Sequence, residues 1–173
     1  MLMKPITKVL IVLLVLLGIS IAMVVYRYAQ TSPLALVAEA SLEPTPAPMK
    51  WLAVQSLHYF HPSAEEIADL NQQAGARYLA ALPDQAEARR LLQEYQQQGL
   101  DLDAKDQQTG TGLTALQGAA IGNETAMVSL LLSLGANPLA EDAQGRTALA
   151  LVEQSQRNRP DMDFSAVLAL LKK

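Results

Sequence analysis

The sequence predicts an all-α protein, a short solenoid of stacked helix pairs carried on one membrane-spanning helix. Three observations carry that prediction. An uncharged apolar run occupies Val9 to Tyr26. Beyond residue 62, apolar residues recur at i, i+3 and i+4 behind Ser, Thr or Asp, with Glu or Gln three residues later, which marks short capped helices. Gly112, Thr114, Ala115 and Leu116 return as Gly145, Thr147, Ala148 and Leu149, a constant offset of 33 residues and one of the known solenoid periods.

The apolar run comes first. The chain has 173 residues, of which 50% are hydrophobic and only 17% charged, below the roughly 25% of soluble domains. Val9 to Tyr26 is 18 residues without a charge, roughly 27 Å as a helix and close to the hydrocarbon thickness of a bilayer. It exceeds the roughly 7–15 apolar residues of a cleaved signal and lacks the polar face of a core helix. Residues 1–8 therefore read as a cytoplasmic flank and 9–28 as a signal anchor holding the chain in the lipid bilayer. Tyr26 and Tyr28 fall where an aromatic belt belongs. Lys4 and Lys8 precede the run, whereas Arg27 alone follows it before Lys50. The positive-inside rule then keeps the N-terminus cytoplasmic at the inner (plasma) membrane and exports the remainder, in a bacterium to the periplasm.

Residues 29–62 read as a linker. Pro44, Pro46 and Pro48 alternate, which favours extended chain, and Trp51 to Phe60 reads as an irregular or strand-like lead-in that packs on the domain. Residues 63–82 read as a helical cap that opens with Ser63 and Glu66 as a capping box and carries Ile67 and Leu70 inward. Repeats fill 83–173. Asp84 with Glu87 forms a second capping box, and the stripe Ala88, Leu91, Leu92, Tyr95 runs to Gly99. Thr114 with Gln117 forms a third, ahead of Leu116, Ala119 and Ala120. Gly122 should end that helix at positive φ, Asn123 should cap the next, and Glu124 should sit in its first turn. Val128, Leu131 and Leu132 form its stripe, Gly135 its C′ residue, and Pro138 prevents continuation. Lys172 and Lys173 complement the negative end of a last helix.

These segments resemble ankyrin repeats. Gly112, Thr114, Leu116, Ala119, Ala120, Gly122, Val128, Leu131, Leu132, Gly135 and Ala136 match the pattern Gly-x-Thr-Pro-Leu-His-x-Ala-Ala, Gly, Val-x-x-Leu-Leu-x-x-Gly-Ala, with Ala115 for Pro and Gln117 for His. The last copy keeps Gly145, Thr147, Leu149, Val167, Leu170 and Leu171 and carries extra residues around Gln156–Asp161. The first keeps mainly its second helix. Degenerate outer copies suit a stack whose ends must face water. The resemblance covers roughly residues 75–173. It implies two to three stacked hairpins with no chemistry of their own, whose exposed first helices and turns bind a protein partner. Carried over by position, the binding residues are Gln117, Ile121, Asn123, Leu151 and Gln154 on first helices, and Lys105, Asp106, Gln108, Glu141, Asp142, Gln144 and Arg146 on turns. Leu151 and Ile121 would be apolar anchors within a polar rim.

Other chemistries find little footing. Without cysteine there is no disulfide, thiolate metal site, thiol nucleophile or cysteine-borne lipid anchor. From Ser63 to Lys173 there are 15 Asp/Glu and 9 Lys/Arg, a net −6 that repels phosphate backbones and argues against nucleic acid. Gly110 to Ala115 formally fits GxGxxA but lacks the apolar strand that a nucleotide loop requires. Asp101, Asp103 and Asp106 lack the order of a calcium loop. No catalytic residue, cofactor or metal site is expected. His58 and His61 stand three apart near Glu65 and Glu66, and the alternative to a binding module is an envelope hydrolase using one of them with a carboxylate, or a structural spacer.

Overall fold

The computed structural model describes residues 5–172, with side chains from Ile6 onward. Lys4 and Lys173, which the orientation and helix-dipole expectations invoke, lie outside the described residues. Within them the chain forms ten helices and no strand, with one isolated antiparallel bridge between Lys105 and Thr114.

Helix α1 (Pro5–Ala29) is roughly 37 Å long at ~1.5 Å per residue. Within its stretch Ile6–Ala29 the most apolar window has a mean hydropathy of 3.0, and none of that window is covered by protein. It is therefore long and apolar enough to cross a membrane. Its C-terminal end is tied to the folded part. Tyr28 is buried rather than placed in an aromatic belt, and its hydroxyl donates to Glu39 Oε1 at 2.6 Å.

Residues 29–62 are not extended. They form α2 (Pro33–Ser41) and α3 (Ala47–Tyr59), which pack on each other. The proline argument fails because of where the prolines fall. Pro33 and Pro48 occupy first-turn positions and Pro46 an N-cap, where a missing N–H costs nothing and a fixed φ favours the helix. The strand-like reading of Trp51 to Phe60 fails with it, because Ala53 and Leu57 are wholly buried on one helical stripe. Leu36, Val37 and Ala40 supply the facing side from α2.

Helices α4 (Ala64–Gln72) and α5 (Ala76–Ala80) follow, and Ser63 with Glu66 makes both halves of the α4 capping box. Helix α5 also pairs with α6 (Gln85–Gln97) as a hairpin. Helices α7 (Ala115–Ile121) and α8 (Thr125–Ser133) form the next, and α9 (Ala148–Asn158) with α10 (Ser165–Leu171) the last. The hairpins stack, α5 on α7 on α9, and α8 on α10. The added residues near 156–161 lengthen α9 by about a turn relative to α7 and feed the loop before α10.

Local chemistry repeats along the stack. After α6, the Gly99 amide donates to Gln96 O and the Leu100 amide to Tyr95 O; after α8, Gly135 and Ala136 make the same bonds to Leu132 and Leu131. Both glycines have positive φ, +105° and +96°, so each helix ends in a Schellman motif that a side chain would strain. Thr114 and Thr147 have near-identical dihedrals and each caps the helix that follows. The core runs unbroken through these layers, with Tyr95, Leu91, Leu92, Leu116, Leu131, Val128 and Phe164 inaccessible to solvent.

Candidate partner-binding face

Two long turns join the hairpins, and they are closed alike. The Asp106 amide donates to Leu113 O at 2.9 Å, and the Asp142 amide to Arg146 O at 3.0 Å, each acceptor immediately preceding a capping threonine. The carboxylates then fold inward. Asp106 accepts from the amides of Gln108 and Thr109 and from the Thr109 hydroxyl. Asp142 accepts from the amides of Gln144 and Arg146 and from the Arg146 guanidinium. Burial alone would raise both carboxyls, but these donors outweigh it and hold both below the usual aspartate range. The two turns also touch, with the Ala143 amide donating to Thr111 O at 3.3 Å. Gly112 makes that approach feasible: its φ is +63°, and a Cβ there would meet the Ala143 nitrogen at 2.9 Å. Further along, Asp103 accepts from the Asn137 amide, and the Asn71 side chain bridges Gly99 and Asp101.

Several candidate residues are corrected by this geometry. Gln117 is 1% exposed. It completes the capping box and donates from Nε2 to the carbonyls of Ala140 and Arg146, so it ties the second turn to α7. Asp142 is 4% exposed and serves turn closure. Leu151 is buried as well. All three are withdrawn from solvent: Gln117 and Asp142 at the turn–helix junctions satisfy nearby hydrogen-bond partners, and Leu151 packs on the inner side of α9. Gly122 has φ −70°, and the left-handed residue is Asn123 at +58°, a conformation asparagine tolerates. Asn123 therefore does not cap α8; its amide side chain donates to Asp163 O. Glu124 stands at the N-cap itself and pairs with Arg77 at 3.1 Å. Ile121 is half-buried, and its carbonyl accepts from Arg159 at 2.7 Å, so this edge of α7 holds the last hairpin in place. Arg159, which also lies over the Phe164 ring, carried no sequence signal because it belongs to the insertion.

Lys105, Gln108, Glu141, Gln144 and Gln154 are exposed, and Arg146 is half-exposed, reaching Gln144 and Gln154 as well as Asp142. Of the twelve positions, the exposed ones lie on the two turns, except Gln154 on α9.

The histidines lie away from this face. His58, on α3, is buried between two carboxylates of α6: Nδ1 meets Glu94 and Nε2 meets Glu87. The Asp84–Glu87 capping box is thus half made. Asp84 accepts from the α6 amides, but Glu87 turns to His58. His61 bonds Glu66 at 2.8 Å through Nδ1 and approaches Tyr28 O through Nε2. Burial alone would raise the Glu66 carboxyl, but the Ser63 amide and His61 lower it overall. The two carboxylates on His58 sit at opposite ring nitrogens and cannot share one ion, and among the described residues no group of three or more His, Asp or Glu is arranged to hold a metal. No protein-family model and no curated protein matches this chain.

Proposed function

We propose that the chain is a membrane-anchored, ankyrin-like repeat module that binds a protein partner without catalysis, with α1 spanning the inner membrane, the N-terminus cytoplasmic and the hairpins in the periplasm. The observation that carries this reading is the pair of touching turns, whose aspartates are used up internally and whose Lys105, Gln108, Glu141 and Gln144 face solvent. Rigid tips with outward polar side chains suit recognition, since little ordering cost remains at binding. The 33-residue register and the recurring caps support the ankyrin-like reading. Charge balance across α1 supports the orientation.

The test uses the full chain, crosslinked in cells and purified in detergent, beside the variant Lys105→Glu, Glu141→Arg, Gln144→Arg. A specific envelope protein should be captured by the parent and lost at least tenfold with the variant, at unchanged helical circular dichroism. Capture that survives all three changes removes these tips as the binding face. The buried Leu151 and Asp142 are unsuited to such a test.

The paired His58–Glu87 and His61–Glu66 contacts favour hydrolysis as a second reading, because a carboxylate orienting an imidazole is the usual base arrangement. Both ring nitrogens are already engaged in each case, so a substrate would have to displace a carboxylate. Loss of a measured turnover on His61→Ala would favour that reading.

A further inference from the structure

Three exposed aromatic side chains lie on α3 and at its end, whereas Leu42, Tyr78 and Leu139 are exposed singly elsewhere. Trp51 is 61% and Tyr59 79% exposed, and Phe60 follows at the helix end. With Leu52 they form one wall of a groove of about 250 Å³. The other wall is Val24 and Val25 of α1. Those valines belong to the stretch apolar enough to cross a membrane, and lie within about 5 Å along the helix of the first charge after it, Arg27. A groove with that wall stands at the depth where a bilayer meets water. Its chemistry suits that depth. From Ala47 to Phe60 there is no carboxylate; Arg27 follows the valines on α1 and pairs with Glu39, and Lys50 precedes Trp51 on α3 and pairs with Glu43. Tryptophan and tyrosine present an apolar ring with a polar tip, the combination enriched at headgroup level.

We infer that this face of α3 rests in the membrane interface beside the exit of α1, with Trp51, Tyr59 and Phe60 among the lipid headgroups. The inference rests on the reading that α1 spans a bilayer. The lipid fills the groove between α1 and α3, and the domain is held at a fixed tilt instead of hanging on a flexible stalk. The tilt passes into the repeats because α3 is clamped to α6, through His58 between Glu87 and Glu94 and through the Tyr95 hydroxyl donating to Leu57 O at 3.1 Å.

Trp51 is the sole tryptophan, so its fluorescence reports this face directly. The full chain is reconstituted in phosphatidylcholine vesicles whose acyl chains carry bromine either near the headgroup or near the bilayer centre, and iodide is added to the water. Shallow bromine should quench Trp51 at least twofold more than deep bromine, and iodide should quench it several-fold less than free tryptophan. Strong iodide quenching with no effect of either bromine overturns the inference. Protection from both quenchers also overturns it, since a second copy or a protein partner would then cover the face. The double variant Leu16→Trp, Trp51→Phe places the reporter midway along α1. Deep-bromine quenching there together with an iodide-accessible Trp51 removes the interfacial contact but keeps the anchor; no deep quenching removes the anchor and the inference together.

Discussion

Asp142 illustrates how a charged turn residue becomes structural. Its carboxylate is buried, pairs with Arg146 at 2.7 Å, and receives two backbone amides. Charge-assisted bonds of this kind contribute ~2 kcal/mol to stability. Because the folded carboxyl titrates below its ordinary value of about 4, its contribution is complete above that value and is lost as pH falls through the depressed one. Asp142→Asn should therefore lower the stability read from urea unfolding by ~2 kcal/mol at pH 7, and the gap from the parent should shrink toward pH 3. An equal gap at both pH values would show that the charge is irrelevant. Gln117 follows the same logic without a charge. Its position in a capping box was evident from Thr114 three residues earlier, but its donation to two carbonyls of the next turn depends on where that turn folds back. A side chain's local partner lies within a few residues and leaves a mark in sequence; its long-range partner leaves none.

Most helices were legible for the reason just given. Caps and C-terminal glycines act within one turn, so α4, α6, α7 and α9 start where Ser63, Asp84, Thr114 and Thr147 place them, and α6 and α8 end at Gly99 and Gly135, whereas the start of α8 shifts to Glu124. Helices α2 and α3 were not, because proline carries two opposite meanings, first-turn starter and interior breaker, and only the neighbouring burial separates them. The stripe Ala53, Leu57 is short, and it is interrupted by Trp51 and Tyr59 on an exposed face. Leu57 decides the matter experimentally. It is inaccessible to solvent on α3, the helix that packs on α2 and α6, so Leu57→Ala should cost ~3 kcal/mol in urea unfolding, as a core truncation does. An extended spacer would give no measurable change.

At the scale of the molecule, the end of α1 is part of the folded core. Tyr28 is buried, bonds Glu39, and offers its carbonyl to His61. A soluble form beginning at residue 31 should consequently be ~3 kcal/mol less stable than one beginning at residue 24, by the loss of a buried aromatic and its hydrogen bond. Equal thermal midpoints would mean that α1 and the hairpins are uncoupled. This continuity makes the boundary between α1 and the helices that follow a packed joint, and it places the exposed α3 face beside the apolar helix. From residue order alone one reads the apolar length of α1, the helical class, the register of 33 and the capped ends, since all of these arise from near-neighbour sterics, backbone donors and periodic hydrophobicity. Which turn residues stay in solvent, the docking of residues 33–59 as a hairpin, and the clamp of α3 on α6 are settled by contacts between positions some 30 residues apart. Those contacts depend on how the hairpins stack, and stacking is a property of the assembled core rather than of any segment within it.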